Sequence, residues 1–360
     1  GSVFVAVAHS HIKPGGRLAV VLPKGLLSGV AWGRTRELLR SYYQVEYVIC
    51  SHDPQKWNFS ENTSLSEVLL LAQKKSSNAP SAQGQPRVTA VNLWRNPGTS
   101  FDALAVARTL RMNDAPDLET GQGALDVPTG DVKLGEAVSV PWTHFERSES
   151  WLLPNSFAQA EMLRAAYHLL QGRLRLPGSA RVRRIPMCAL GSLGQLGPDA
   201  RDMHDGFKLS RTWTSFAAFW DHDSGGVTCL AQHPNAHLSP LPRAKPGRGL
   251  RRAQDLWPLA ATLLFAERLR LNTHRLTCIR VAEPVLSNVW WPFRMRKKGR
   301  SGRAEKALGL WSNSTLGIVV YVSTRVETQG AWVKFKKPPL CTMPVLDVGR
   351  LSDNTLAGLA

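Results

Sequence analysis

The segment HIKPGGRLAVVLPKGLLSGVAWGRTRELL, residues 11–39, most constrains what this 360-residue chain can fold into. Its Pro-Gly-Gly turn ends a helix predicted over residues 3–12. The continuous apolar run RLAVVLP (17–23) is typical of a central strand covered on both faces of a sheet. A loop (25–33) and a predicted helix (34–43) follow. A strand that leads into a helix in this way predicts an α/β domain.

Three more strands and a helix are predicted in the first third of the chain. The strands are VEYVIC (45–50), LSEVLLLAQK (65–74) and RVTAVNL (87–93), and the helix covers residues 99–112. Strand, helix and strand at this spacing form a βαβ unit, which implies a sheet that is parallel at least locally.

Beyond residue 113 the rhythm changes. A polar, Pro- and Gly-containing stretch (114–129) predicts a linker. Helical periodicity covers residues 156–174 and 261–272, whereas GIVVYVS (317–323) and GAWVKFKK (330–337) alternate like strands or short apolar elements. The second half therefore reads as α+β.

Charge is the strongest global property of the sequence. The formal net charge is +18, and residues 241–360 hold 21 Lys or Arg against 7 Asp or Glu. This imbalance favours a polyanionic partner, nucleic acid before an anionic membrane, although basicity can also serve solubility alone. No apolar run reaches the length of a bilayer span, so we expect no segment that spans a membrane, and we expect no membrane partner. The five scattered cysteines form no Cys-x-x-Cys pair, and no signal segment is visible, so we expect a cytoplasmic protein with reduced thiols.

Three segments, taken in their order along the chain, resemble the later part of the catalytic domain of N6-adenine DNA methyltransferases. They are IKPGGRLAVVLPKGLLSG, RTRELLRSYYQVEYVICSH and WNFSENTSLSEVLLLAQK. The match is to the type I modification-subunit and type IIG kind, and it covers roughly residues 3–75. The resemblance implies the fifth strand of a class I S-adenosylmethionine-dependent methyltransferase sheet, a helix and the sixth strand. An aromatic-containing loop and an antiparallel seventh strand would follow.

The loop has a chemical purpose in that family. An adenine must leave the duplex stack before its amine can be methylated, and stacking on an aromatic ring offsets part of the cost. Phe59 matches the position of the family's second stacking aromatic, and Trp57 is the nearby alternative. A competing interpretation makes Phe59 a loop anchor that packs on the sheet.

Two family motifs have no counterpart in the sequence. No Asn-Pro-Pro-aromatic or Asp-Pro-Pro-aromatic motif occurs, since RNPG (95–98) is not one, and no glycine-rich strand-to-helix turn can hold S-adenosylmethionine. Both belong before residue 1. We therefore expect a C-terminal fragment of a longer enzyme, inactive alone, whose full-length form uses S-adenosylmethionine.

The end of the chain carries a looser resemblance. Residues 310–347 are similar to the C-terminal end of target-recognition domains in type I specificity subunits and type IIG enzymes. That end carries an Asn-Ser pair, a helix, a basic aromatic segment and a final apolar residue followed by proline. Residues 196–207 and 286–300 resemble such domains as well. Together these resemblances imply the catalytic-domain part in residues 1–113, a linker over 114–138, and an α+β DNA target-recognition domain over 139–360.

Basic residues that follow or alternate with aromatic ones are the candidate DNA contacts, because cations neutralise phosphates and aromatic rings stack on bases. They are Arg294, Arg296, Lys297, Lys298, Arg300, Arg303, Lys334, Lys336 and Lys337. We expect the neighbouring Trp290 and Trp291 to lie in the core.

Metal binding is not expected. Cys229, His233 and His237 share a four-residue spacing, but Pro234 breaks any helix that would align them and no fourth ligand is evident. The aspartates of the 199–205 segment are predicted to form a turn paired with Arg201.

Two functions remain open at this point. The first is site-specific adenine N6 methylation of double-stranded DNA, of the restriction-modification or phage-defence type, for which the resemblance also implies restriction or specificity subunits as partners. The second is a non-catalytic DNA-specificity module whose βαβ segment is a docking platform.

Overall fold

The computed structural model describes residues 1–61, 63–76, 85–175, 181–221, 227–270, 276–296, 301–329 and 332–359. The chain divides into two compact units. The first unit comprises Gly1–Leu169, Arg173–Arg183 and Val326–Ala331, and the second comprises Leu170–Gly172, Arg184–Arg325 and Trp332–Ala360.

Helices and strands alternate along both units. The strands are β1 (Arg17–Pro23), β2 (Tyr43–Ser51), β3 (Glu67–Lys74), β4 (Arg87–Leu93), β5 (Leu125–Thr129), β6 (Val132–Pro141), β7 (Arg173–Arg175), β8 (Val182–Arg184), β9 (Met187–Ala189), β10 (Gly194–Leu196), β11 (Phe207–Leu209), β12 (Ala217–Phe219), β13 (Ala231–Gln232), β14 (Ala236–Pro240), β15 (Ala261–Ala266), β16 (Arg268–Arg270), β17 (Cys278–Ser287), β18 (Trp290–Met295), β19 (Val326–Gln329), β20 (Trp332–Lys334) and β21 (Pro344–Leu346). The α-helices are α1 (Ser2–His11), α2 (Gly33–Tyr42), α3 (Ser100–Met112), α4 (Trp142–Arg147), α5 (Ala160–Leu170), α6 (Leu190–Leu193), α7 (Ala200–Gly206), α8 (Ala253–Leu256), α9 (Ser301–Asn313), α10 (Thr315–Ser323), α11 (Lys337–Thr342) and α12 (Asp353–Leu359). Short 3-10 helices cover Lys24–Leu27, Val30–Trp32, Leu153–Asn155, Trp257–Leu259 and Val348–Arg350.

The first unit is built on a six-stranded mixed sheet in the order β1-β3-β2-β4-β6-β5. Strand β3 is antiparallel to both of its neighbours, so β1 and β2 run in the same direction, and β4 pairs parallel with β2. Strands β5 and β6 form a hairpin that closes the far side, with β6 antiparallel to β4. The predicted elements up to residue 112 are confirmed as strands and helices.

Side chains from alternate positions of this sheet form two apolar clusters. One face of β1 to β4 packs with residues of α1, α2, α4 and α5 around the buried Tyr43, Phe145 and Trp151. The opposite face carries a smaller cluster that includes Ile49, Val91 and Leu93, against which α3 packs through Val106.

Two expectations for this unit differ from the structure. Strand β1 lies at one side of its sheet with Val21 exposed, so its apolar run is covered on one face and not on both. Residues 114–138, predicted as a linker after a boundary at 113, contribute β5 and most of β6 to the same sheet, and the first unit continues to Leu169. Strand β6 makes its backbone hydrogen bonds with β4, and β5 makes its own with β6.

The second unit is built on an eight-stranded sheet. Its strand path is β10-β18-β15-β17-β12-β14-β11, with β13 paired to β17. Trp290, Trp291 and Phe293 of β18 are buried, which confirms that these tryptophans lie in the core. The unit is mixed α and β, as expected.

The helix predicted over residues 261–272 was wrong. Residues 261–266 form β15, in the middle of the sheet between β17 and β18, and β16 follows it. Because Leu263, Leu264 and Phe265 are all buried, an uninterrupted apolar run suits a strand covered on both sides as well as it suits a buried helix.

Residues 317–323, expected to form a strand or a short apolar element, belong to α10 and are not a strand. Ser314 caps this helix: its hydroxyl accepts a hydrogen bond from the Gly317 N–H at 3.2 Å. The helix is buried and carries apolar residues on most sides. The hydroxyl of its Tyr321 donates a hydrogen bond to the Ala266 carbonyl. A helix with apolar residues on all sides has no amphipathic periodicity, so the sequence pattern did not identify it as a helix.

Candidate functional site

The carboxyl ends of three parallel strands meet at one edge of the first-unit sheet. Pro23 of β1 pairs with Glu67 of β3, and Ser51 of β2 pairs with Leu93 of β4. The loops that leave these strands therefore share one edge, and ligands of open α/β sheets bind at such an edge.

The loop of residues 52–66 joins β2 to β3 at this edge and carries both predicted aromatics. Its backbone is fixed by Glu67, whose Oε2 atom accepts hydrogen bonds from the N–H groups of Phe59 and Ser60, both at 2.8 Å. Glu67 is 8% exposed, so these charge-assisted bonds are shielded from water. Its carboxylate thus sets the backbone position of Phe59.

Asparagines fix the rest of the loop. The side-chain amide of Asn58 donates to the carbonyls of Ser60 and Thr63 at 2.9 and 2.7 Å. The amide of Asn96, after β4, donates to the carbonyls of Lys56 and Asn58 at 3.0 and 2.7 Å. The loop is therefore tied to the neighbouring strand connection as well as to itself.

The two aromatics have different surroundings. The Trp57 indole N–H donates to the Ser64 carbonyl at 3.2 Å, within the loop. Phe59 is partly buried and packs against the cluster that contains Ile49 and Leu93. This packing is what the loop-anchor interpretation expects, while stacking requires the part of the side chain that stays exposed.

Phe59 also lines a cavity of about 820 Å³. The cavity lies between the outer face of the sheet and α3, and its wall is mostly aliphatic. The apolar lining side chains include Ile49, Leu69, Leu71, Leu93, Val106 and Leu110. Cavities of this size and character accept flat apolar groups.

Charged groups line other parts of the cavity. Arg17 and Glu46 form a bidentate ion pair with an Nη2–Oε1 distance of 3.0 Å, and hydrogen bonding to Glu46 raises the pKa of the Arg17 guanidinium. Lys56, Arg111 and the Asn96 amide complete the polar lining.

The cavity beside Phe59 does not fit S-adenosylmethionine. The cavity offers one carboxylate, Glu46, which is already paired with Arg17, and its walls are aliphatic where a sulfonium and an amino acid would need polar contacts. The glycine-rich turn that would cradle this cofactor has no counterpart in the sequence. No step of the proposal below passes through the cofactor.

The predicted DNA contacts of the 294–303 segment lie in the second unit. Arg294 and Arg296 are exposed at the end of β18, where Arg294 donates to the Pro258 carbonyl, and Arg303 is exposed on α9. Lys297, Lys298 and Arg300 lie outside the described residues.

The second predicted basic segment forms an exposed strand face. Lys334 and Lys336 are exposed while Val333 and Phe335 are buried, and Lys337 donates to the Gly197 carbonyl at 3.0 Å. Lys334 lies directly opposite Arg268 of β16. Like charges in directly opposed strand positions repel, and the neighbouring Glu267 carboxylate interacts with both cations.

Several of the side chains considered for metal binding and for the aspartate turn make hydrogen bonds or ion pairs within the fold. Cys229 donates to the Ala231 carbonyl and His237 contacts the Thr214 carbonyl, and no group of three metal-ligating side chains occurs within the described ranges. The aspartate turn does not pair with Arg201: Asp202 pairs with Arg251 and Asp205 with Arg248.

Sequence reasoning missed Glu67 and Asn96 as positioning residues. RNPG (95–98) was considered only as a sequence that does not match the Asn-Pro-Pro-aromatic motif. However, an asparagine that follows a strand at this edge of the sheet is well placed to hold the neighbouring loop. Glu67 carried a usable signal, because a charged residue at the start of an otherwise apolar strand needs a partner when it is buried.

No family model matches the sequence, and no curated protein matches it. Among solved structures the chain is similar to the type IIG restriction endonuclease BpuSI, with a TM-score of 0.36 and 10% sequence identity. The alignment covers 99% of this chain and 43% of that one, so this chain spans less than half of that protein's length. A likeness at this level carries no argument about function. Separately, no helix among the described residues is long and apolar enough to cross a membrane.

Proposed function

We propose that this chain is part of a DNA methyltransferase that modifies the N6 amine of adenine, and that it binds double-stranded DNA. The loop of residues 52–66 carries the proposal. It leaves β2 at the carboxyl edge, holds Phe59 beside an open cavity, and returns as a strand that is antiparallel between β1 and β2. The resemblance implies an antiparallel strand after this loop, and β3 is antiparallel to both of its neighbours.

The role of this chain's own residues is to receive and orient the base. An extruded adenine presents a flat π-face, and the accessible side of Phe59 offers a ring on which it can stack. Glu67 and Asn96 hold the loop backbone, so that Phe59 is positioned before the base arrives. The methyl transfer itself is assigned to no residue of this chain.

Charge supports DNA as the partner. The second unit carries exposed cations at the end of β18, on α9 and on the β16–β20 face. Such groups bind phosphates by releasing condensed counterions, which makes the binding strongly salt-dependent.

The test is a methylation assay of the complete gene product that contains this chain, expressed in a host without adenine methylation. N6-methyladenine should accumulate at one DNA sequence. Genomic DNA without the modified base would overturn the proposal.

A non-catalytic DNA-specificity module is the second candidate. The misfit between the cavity beside Phe59 and S-adenosylmethionine favours it. It predicts sequence-specific duplex binding without N6-methyladenine in the same assay, so one experiment separates the two functions.

A further inference from the structure

Trp213 is the most exposed of the large apolar side chains that the structure describes in the second unit, at 77% of its surface. Tryptophan is a highly buried residue on average, and an indole in water leaves a large apolar surface uncovered. Exposure alone is common for single apolar residues, so the surroundings of Trp213 decide what it does.

The turn that presents Trp213, residues 210–216 between β11 and β12, is fixed at both ends. The Ser210 N–H donates to the His237 carbonyl at 2.8 Å, and the Thr214 hydroxyl donates to the Leu238 carbonyl at 2.7 Å. Phe216 packs edge-on against Trp257, with ring centroids 5.1 Å apart. The indole is therefore held outward on a fixed turn, which reduces the entropy lost when it binds a partner.

Basic side chains share this surface. Lys208 of β11 lies opposite Ser239 of β14, and side chains two positions apart on a strand share a face, so Lys208 and His237 face the same way. The Trp213 ring lies 5.9 Å from the His237 ring, and Arg211 is exposed two residues earlier.

A second basic segment begins at the other end of β14. Residues 242–252, PRAKPGRGLRR, carry five cations, all exposed. The carboxylates beside it are already paired: Asp205 with Arg248 at 3.1 Å and Asp202 with Arg251 at 2.9 Å. The other three, Arg243, Lys245 and Arg252, have no acidic partner in the part of the chain that the structure describes.

We propose that these elements form one DNA-binding surface, the Trp213 surface, defined by Lys208, Arg211, Trp213 and residues 242–252. Its occupant is duplex DNA: the indole contacts a base step and the cations contact phosphates. Strand β14, which joins the two parts, is about 13 Å long at the rise of an extended strand. That length corresponds to about four base-pair steps along the axis of a DNA duplex. This inference rests on the proposed function, because it specifies how the second unit would hold DNA.

The experiment measures binding of the full chain to a fluorescently labelled duplex by anisotropy, over a series of salt concentrations. Trp213→Ala should weaken binding about five- to a hundredfold, which is the loss expected when one base-stacking aromatic is removed. The slope of log K against log salt should not change, because no charge is removed. Trp213→Phe should retain most of the affinity. Replacing Arg243, Lys245 and Arg252 together by Gln should flatten the slope by about 2 to 3.

Phe101→Ala is the matched control, because Phe101 is an aromatic with 81% exposure that belongs to the first unit and is not among the residues that define this surface. It should bind like the wild type. If the wild type binds DNA and Trp213→Ala behaves like Phe101→Ala, the Trp213 surface is wrong while the proposed function stands. If the wild type does not bind the duplex at all, the proposed function fails. A Trp213→Ala loss confined to single-stranded DNA would overturn the assignment to duplex DNA.

Discussion

The carboxylate of Glu67 accepts the backbone N–H of Phe59 at 2.8 Å, and the same oxygen accepts the N–H of Ser60. A buried charge at the first position of β3 thus fixes the aromatic loop that precedes it. The loop is part of the folded sheet edge, and its tip is positioned by the strand to which it leads.

Glu67→Gln should loosen this loop. The neutral amide oxygen is a weaker acceptor than the carboxylate, so we expect the free energy of unfolding to fall by about 1–3 kcal/mol. Proteolytic cleavage within residues 52–66 should become faster. Chemical denaturation and limited proteolysis measure both effects. Glu61→Gln, at an exposed position of the same loop, should change stability by less than about 0.5 kcal/mol; equal behaviour of the two variants would show that Glu67 does not hold the loop.

S-adenosylmethionine should not bind the isolated chain. The one cavity carboxylate is paired with Arg17, and the glycine-rich turn is absent from the sequence. Titration calorimetry should detect no heat of binding at micromolar concentrations. A micromolar or tighter dissociation constant would mean that the described residues hold the cofactor after all.

Duplex binding should depend on the Arg268–Lys334 face. Changing Arg268, Lys334 and Lys336 together to Gln removes three exposed cations, and the slope of log K against log salt should fall by about 2 to 3. Arg350→Gln, whose side chain is paired with Asp347, should leave the slope unchanged. A triple variant with the wild-type slope would show that this face does not touch DNA.

Local patterns predicted the first unit better than the second. Strands at 45–50, 65–74 and 87–93 were found because each apolar run is short and bounded by polar residues or turns. The position of β1 at one side of its sheet could not be predicted from its own residues, because the same apolar run suits a strand that is covered on one face or on both. Likewise, a polar stretch forms β6 by pairing with β4 and β5 by pairing with β6.

In the second unit, buried helices and strands cannot be told apart by hydrophobic periodicity, because nearly all of their residues are apolar. Residues 261–266 and 317–323 are both continuous apolar runs, yet one is a strand and the other a helix. Ser314, as a helix N-cap, was the available signal for α10. For the candidate site, Phe59 was found through a resemblance, whereas Glu67 and Asn96 act through backbone contacts that only the folded loop reveals.

The most direct test of the central claim compares Phe59→Trp with Phe59→Leu in the complete gene product, by single-turnover methylation of its target duplex. Leucine keeps the apolar packing against Ile49 and Leu93 but has no π-face, whereas tryptophan keeps the π-face. We predict that Phe59→Trp retains much of the wild-type rate and that Phe59→Leu and Phe59→Ala lose about five- to a hundredfold, with duplex affinity nearly unchanged. If Phe59→Leu methylates at the wild-type rate, Phe59 is a loop anchor and the stacking role is contradicted; if Trp57→Ala alone abolishes methylation, the stacking ring is Trp57.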